Sequence, residues 1–544
     1  MSLRNRLLPA RILTTMLVMA QAINAQNANA QTTNGQATNG QATNGQPTNA
    51  PTATLSIDAP DPSSAHTISR FIYGQFAEDL GRSIYDGFWV ADSMHVPRKG
   101  RIRLDVVEAL KRIKVPDLRW PGGCFADQYH WSDGIGAQRP VRVNTTWGMV
   151  PVDNSFGTQE FLELCNLIGC EPYIAGNMGS GTPQEMENWL EYLNYNGKSA
   201  LTDLRKAGGH EAPYGVSFWG VGNESWGCGG NMTPEFYTDQ YKRYATFCEN
   251  YPGAPLRKIA SGPNADDYNW TEVCMKRIPT GDLWGLSLHY YTLTTGDWNH
   301  KGSATDFGEN EYFTALRKCL FMDTLIRKHS IIMDKYDPAK RVSLCVDEWG
   351  IWTDPEPGTN PAFLFQQNSL RDALIAATTL NIFNNHSDRV RMANLAQTVN
   401  VIQSLILTKG RQMVLTPTYH VFDLYKVHQD AQWLPIQLIS PRYTFQGQSI
   451  PAVNASASKD KAGVIHISLV NLDPSRKITV SANIEGLAGN TASGLVLTSD
   501  KFTDINTFDQ PDKVHPTTFN DFKMDGGQLT VTLPPASVVV LELK

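Results

Sequence analysis

Val216-Ser217-Phe218-Trp219-Gly220-Val221-Gly222-Asn223-Glu224 and Val342-Ser343-Leu344-Cys345-Val346-Asp347-Glu348-Trp349-Gly350 decide how this chain is read. Each is an apolar, strand-like run that closes on a glutamate. A buried strand does not ordinarily finish on a carboxylate, because an unpaired charge there is costly. Two such endings predict acids presented at the mouth of a barrel, where strand C-termini open into loops.

Around these two runs, strand-like and helical patterns alternate. Strands are expected over 71–76, 117–120, 172–177, the run ending at Glu224, 259–261, 283–291, the run ending at Glu348, and 391–395. Helical spacing follows them over 105–115, 158–168, 183–193, 234–248, 271–277, 312–333, 369–384 and 419–427. This alternation predicts an α/β fold with a (β/α)8 TIM barrel over residues 69–430. An open doubly wound sheet is the competing topology, but no Gly-rich phosphate loop follows a strand.

Past residue 430 the helical period vanishes. Short alternating runs at 464–470, 477–480 and 538–543, separated by Gly, Pro, Asn and Asp, predict a C-terminal antiparallel β-sandwich over 431–544. Thr54-Leu55-Ser56-Ile57 precedes the barrel, and the 55–68 segment is expected to add a strand to that sandwich.

At the N-terminus, Arg4, Arg6 and Arg11 precede the apolar run Ile12-Leu13-Thr14-Thr15-Met16-Leu17-Val18-Met19-Ala20. That layout predicts a secretory signal over 1–25, cut near Ala20-Gln21-Ala22 or after Ala25. Residues 26–54, which repeat Thr-Asn-Gly-Gln, read as a low-complexity, disordered tether. No cysteine precedes Cys124, which argues against a lipoprotein anchor, and no other run of about 20 residues is apolar enough to span a bilayer. The expectation is an exported protein, periplasmic or extracellular, with no membrane insertion.

Composition narrows the function classes. A hydrophobic fraction of 41% with 18% charged residues is that of a globular protein, and a net charge of −6 gives no reason to expect nucleic acid as a partner. The 13 Trp and 19 Tyr fit a large core or sugar stacking equally. The eight cysteines form no CxxC pair or zinc-like spacing, so no metal is expected. One or two disulfides are permitted, but spacing does not assign them.

Paired carboxylates are what glycoside hydrolysis needs, one as acid/base and the other as nucleophile or base. Strands four and seven lie on opposite sides of a barrel mouth. Inward-facing Glu224 and Glu348 would approach to about 5 Å there, the separation of a retaining glycosidase.

Five stretches then carry a specific likeness: Phe76-Ala77-Glu78-Asp79-Leu80-Gly81-Arg82-Ser83-Ile84-Tyr85, Leu118-Arg119-Trp120-Pro121-Gly122-Gly123-Cys124-Phe125, Trp219-Gly220-Val221-Gly222-Asn223-Glu224, Ser287-Leu288-His289-Tyr290-Tyr291-Thr292 and Asp347-Glu348-Trp349. Together they resemble, in order, the α-L-arabinofuranosidases of glycoside hydrolase family 51. The resemblance implies that Glu224 is the acid/base and Glu348 the nucleophile. It further implies that Glu78, Asn223 and Gln397 bind the furanose hydroxyls, that Tyr291 and Arg119 contact the nucleophile, and that His289 supports the same wall. Cys124 would contact substrate at a place often taken by Asn, and Asp79 stands where such enzymes commonly carry His. Trp147 and Trp298, in loop-like segments after strands two and six, are candidates to line the pocket.

The function so implied is a retaining exo-glycosidase that removes terminal, non-reducing α-L-arabinofuranosyl residues from arabinan, arabinoxylan or their oligosaccharides. No cofactor is implied, since the carboxylates supply both proton and nucleophile. An endo-β-glycanase on the same barrel and a non-catalytic carbohydrate-binding protein are the alternatives. Oligomeric state is left open, a homo-oligomer included.

Overall fold

In the computed structural model, which describes residues 50–59, 65–485, 491–525 and 527–544, eight parallel strands close on themselves in sequential order. They are β1 (Gly74–Phe76), β2 (Asp117–Trp120), β3 (Glu171–Gly176), β4 (Phe218–Val221), β5 (Arg257–Ala260), β6 (Gly285–Leu293), β7 (Ser343–Trp352) and β8 (Val390–Leu395). The β8 strand pairs with β1 through Asn394↔Gly74 and Leu395↔Gln75, which closes the barrel. Strands β1, β2 and β4 are buried along their whole length, as parallel strands covered on both faces must be.

Eight helices follow the strands: α1 (Leu104–Arg112), α2 (Thr158–Ile168), α3 (Pro183–Asn194), α4 (Pro234–Phe247), α5 (Tyr268–Arg277), α6 (Glu309–Tyr336), α7 (Leu370–Asn385) and α8 (Pro417–Tyr425). Three begin on the same Thr-Pro device. Thr182, Thr233 and Thr416 each accept a backbone N–H from the first turn, and the proline behind each occupies a position with no N–H to satisfy. The expected (β/α)8 order is therefore observed element by element. A further helix, Ala200–Ala207, was not anticipated, and 70–73 is a single 3-10 turn rather than the start of β1.

Two sheets make the C-terminal sandwich, of five and six strands. The strand Thr52–Ile57 lies inside the five-stranded sheet, antiparallel to Ile436–Ile439 and parallel to Ile478–Ile484. The latter is a parallel pair in an otherwise antiparallel region. It also corrects the tether's expected end at residue 54, since Thr52, Ala53 and Thr54 are already in the ladder. The expected signal and most of the expected tether lie outside the described residues. Helix α7 seats the sandwich on the barrel: Asn384 Nδ2 donates to Ser456 Oγ at 3.2 Å, and Asn385 Nδ2 to the Ala455 carbonyl at 2.9 Å.

Candidate active site

The doublet Asp347-Glu348 sits in the middle of β7, which runs on to Trp352 instead of ending at Glu348 as expected. Consecutive residues of a regular strand point to opposite faces. Here the register slips on both sides of the doublet, between Ser287 and His289 on the β6 side and between Val346 and Trp349 on the β8 side. Such irregularities re-aim side chains, and both carboxylates turn toward the same guanidinium. Arg119 of β2 donates from Nη1 to Glu348 Oε1 at 2.8 Å, and its Nε lies 3.8 Å from Asp347 Oδ2. Tyr291 Oη donates to Glu348 Oε2 at 2.9 Å, and Tyr173 Oη to Asp347 Oδ2 at 2.8 Å.

Glu224 lies three residues past β4, in the loop rather than in the strand. Its φ of +41° is left-handed, a region that costs a non-glycine residue free energy and recurs at functional sites. The loop around it is tied down. The Glu224 carbonyl accepts from Gly227 N at 2.7 Å and Gly229 N at 3.1 Å. Buried Asp127 accepts from the N–H groups of Met178, Gly179 and Asn223 at 2.9, 2.8 and 3.2 Å. Asp127 was missed by the sequence reading, because it lies in an irregular turn with no periodicity to mark it.

His289 of β6 stands between the acids. Its Nδ1 is 2.8 Å from Glu224 Oε1 and 3.5 Å from Glu348 Oε2, and its Nε2 is 3.3 Å from Asp347 Oδ1. One oxygen of Glu224, one of Glu348 and a His289 nitrogen all lie within 4.8 Å of one another.

The electrostatics follow from this crowding. Burial, then the Glu348 charge, raises the Glu224 carboxyl above its ordinary range. Burial opposes charge on His289 as well, but Glu348, Asp347 and Glu224 around it outweigh that and lift it to about 10. Asp347 is held below the ordinary range despite its burial, by Arg119, His289 and Tyr173.

Across the pocket, Glu78 Oε1 accepts from Phe125 N and Trp147 Nε1, each at 2.9 Å, and its Oε2 from Gln397 Nε2 at 2.9 Å. Burial and the Glu348 charge raise it to about 7. The Pro-Gly-Gly turn after β2 admits both acids. A Cβ on Gly122 would meet Glu78 Cγ at 2.5 Å, and one on Gly123 would meet Glu348 Oε1 at 2.7 Å. No larger residue fits either place.

These groups line a cavity of about 600 Å³ to which Glu78, Cys124, Trp147, Glu224, His289, Tyr291, Trp298, Glu348 and Gln397 all contribute. Arg119 and Asn223, both buried, are hydrogen-bonded to each other, Arg119 donating to Asn223 Oδ1. Two buried amide atoms, Asn223 Nδ2 and Gln397 Oε1, have no protein partner among the described residues, although buried polar groups are normally satisfied. Trp298 is 53% exposed and packs edge-on to Trp352 at 5.0 Å, with Lys301 Nζ over both rings. Trp352 and Trp226 also line the cavity and were not anticipated. Trp352 was legible: it lies four residues after Glu348 on the same strand, hence on the same face. Asp79 is half-buried and does not line the cavity.

Cys124 lines the cavity as half of a disulfide: it is bonded to Cys228 across 104 residues of sequence, one of the pairings that spacing left open. The pairing closes a long loop between the β2 and β4 turns, which spacing alone could not reveal. Glu224 Oε2 lies 3.2 Å from Cys228 Sγ and 3.5 Å from Cys124 Sγ. Neither sulfur carries a proton, so these are contacts rather than donated bonds.

Comparison with known proteins adds an independent line. Residues 109–314 match the alpha-L-arabinofuranosidase 1 domain and residues 347–537 the alpha-L-arabinofuranosidase C-terminal domain. The chain is 49% identical, over 91% of its length and 96% of the relative's, to an intracellular exo-alpha-L-arabinofuranosidase of Bacteroides ovatus. It superposes on the crystal structure of the GH51 arabinofuranosidase from Xanthomonas axonopodis pv. citri with a TM-score of 0.89 and 49% identity, covering 91% of this chain and 100% of that one. An alpha-L-arabinofuranosidase from Thermotoga maritima, in an arabinose complex, matches with a TM-score of 0.76 and 32% identity, over 90% and 99%.

The Bacteroides match overturns the expected export. That relative is named an intracellular enzyme, so the periplasmic or extracellular location read from the N-terminus is withdrawn. The reading rested on an Arg-flanked apolar run that lies outside the described residues. Among the described residues no helix is long and apolar enough to cross a membrane.

Proposed function

The chain belongs to the α-L-arabinofuranosidases of glycoside hydrolase family 51, and on that premise we propose that it releases terminal, non-reducing α-L-arabinofuranosyl groups by double displacement between Glu224 and Glu348. The carrying observation is the pair's closeness: oxygens of the two carboxylates lie within 4.8 Å. That closeness fits the separation of about 5–5.5 Å in retaining enzymes better than the roughly 6.5–9.5 Å of inverting ones.

Glu348, hydrogen-bonded by Arg119 and Tyr291, attacks the anomeric carbon. Glu224, its carboxyl raised by burial and by Glu348, protonates the departing oxygen. Once Glu348 is esterified its charge is gone and Glu224 returns to a lower value, ready to take a proton from water. Asn223 Nδ2 and Gln397 Oε1 offer an unused donor and acceptor to the sugar hydroxyls. Hydrogen bonds to the 2-hydroxyl strengthen as positive charge develops on the ring, so they favour the transition state over the ground state.

Gln397 and Trp147, each donating to Glu78, back one wall of the cavity with it. That arrangement favours capture of a chain end over passage of a polymer through a cleft. Trp298 and Trp352 at the rim offer ring faces to the sugar that carries the arabinosyl branch. Arabinan, arabinoxylan and their oligosaccharides are the substrates this reading covers. Release of 4-nitrophenol from the α-L-arabinofuranoside, with no drop in the viscosity of unbranched xylan or cellulose, is the expected result; depolymerisation of either would favour the endo-glycanase reading.

A further inference from the structure

The Cys124–Cys228 disulfide does nothing in that mechanism, yet both its sulfurs touch the carboxylate proposed as the acid/base. We infer that opening this disulfide creates a soft divalent-cation site made of Cys124 Sγ, Cys228 Sγ and Glu224 Oε2, and that a cation bound there switches the enzyme off. The inference rests on Glu224 being the acid/base.

Geometry carries the argument. The three donor atoms lie within 4.8 Å of one another. Zinc takes thiolate sulfur at about 2.3 Å and carboxylate oxygen at about 2.0–2.2 Å, so donors on one tetrahedral ion stand roughly 3.5–4 Å apart. Glu224 Oε2 is already 3.2 Å from one sulfur and 3.5 Å from the other. Two edges of the ligand triangle are therefore close to their bound length, and only the sulfur–sulfur edge must open. Cys228 is exposed, so its side chain can turn outward while the hydrogen-bonded loop that carries it stays in place. Cys124 is half-buried and faces the cavity. Thiolate and carboxylate donors together suit zinc or cadmium rather than magnesium or calcium.

The chemistry balances with a two-electron reductant of the dithiol or phosphine class. A dithiol gives two electrons and two protons to the disulfide, leaving two protein thiols and an oxidised dithiol; a phosphine gives the two electrons and takes oxygen from water, whose two protons go to the protein thiols, leaving a phosphine oxide. A divalent cation then displaces both thiol protons and the Glu224 proton, and water completes the coordination. Glu224, tied to the metal without its proton, has none to give a leaving group.

The test is a cadmium titration of the full chain after reduction by a water-soluble phosphine and its removal under anaerobic conditions. One equivalent should produce sulfur-to-cadmium charge-transfer absorption, and hydrolysis of an arabinosyl oligosaccharide should fall about a hundredfold, the scale of lost general-acid assistance. A chelator should reverse both. The unreduced enzyme and reduced Cys228→Ser, each compared with its own metal-free activity, should show neither change. No absorption in the reduced enzyme, or equal absorption in the unreduced enzyme or in Cys228→Ser, would overturn the site. Absorption with undiminished hydrolysis would overturn the inhibition, and with it the acid/base reading of Glu224 rather than the site.

Discussion

His289 Nδ1 lies 2.8 Å from Glu224 Oε1. Because His289 is charged up to about pH 10 among its three carboxylates, that nitrogen donates, and Glu224 Oε1 accepts. The proton that Glu224 gives a leaving group must therefore sit on Oε2, the oxygen beside the disulfide. His289 also works against that proton, since its bond and its charge both lower a carboxyl that burial and Glu348 raise.

This opposition fixes the sign of a pH effect. Activity needs Glu224 protonated, so it falls as pH rises through that group's raised value. His289→Gln keeps a donor but removes the positive charge, which should lift Glu224 further and move the basic limb of kcat/KM to higher pH. A pH-rate profile on an aryl arabinofuranoside checks the direction, and a limb that moved downward would contradict the network.

Arg119 is 1% exposed and serves Glu348, Asp347 and Asn223. Arg119→Met would leave two buried carboxylates without their cation. Removing one partner of a buried pair costs about 3–5 kcal/mol, so the denaturation midpoint in guanidinium should drop along with activity. Unchanged stability would mean the acids are solvated in the folded state.

Tyr291→Phe removes one charge-assisted hydrogen bond to Glu348 Oε2 and leaves the packing against Trp352. The loss should be about 1.5–3 kcal/mol of transition-state stabilisation, or roughly 10–150-fold in kcat/KM. Thermal stability should hardly move. Steady-state kinetics beside a melting curve separates the two.

Stability in acid has a source away from the site. His428 is buried between Ser458 and Ser468, at 2.7 and 2.6 Å, and burial with the neighbouring His466 lowers it to about 3. A depressed histidine contributes stability that is whole above its unfolded value near 6.5 and is lost as pH falls through the folded value. Between pH 7 and pH 4 this group alone should withdraw about 3 kcal/mol, at about 1.4 kcal/mol per unit. Urea unfolding of His428→Gln should show that much less loss over the same interval.

The barrel was legible because its signals are local: apolar strands at regular intervals, Thr-Pro helix starts, and two apolar runs that lead into glutamates, although β4 ends three residues before Glu224 and β7 runs four residues past Glu348. The same runs led to Glu224 and Glu348, and the shared motifs to Glu78, Asn223, Tyr291, Gln397, Arg119 and His289. What stayed hidden depends on departures from local rules. Asp347 joins the site through a register slip that cancels the alternation a sequence reader assumes. Asp127 acts through three backbone N–H groups that no side-chain pattern announces. The Cys124–Cys228 bond joins turns far apart in sequence, and only the closed barrel brings them together. The strand Thr52–Ile57 was expected in the sandwich and is found there, but its parallel pairing was not foreseen, because that partner lies more than four hundred residues on.

Glu224→Ala offers the most direct test of the mechanism. With a good aryl leaving group it should still form the glycosyl-enzyme, then stall for want of a base. Azide, which needs no deprotonation, should restore turnover and yield an arabinosyl azide of retained configuration. Mass spectrometry of peptides from the stalled enzyme should find one arabinosyl unit on Glu348. An unlabelled Glu348 peptide, or a label on Glu78 instead, would contradict the account.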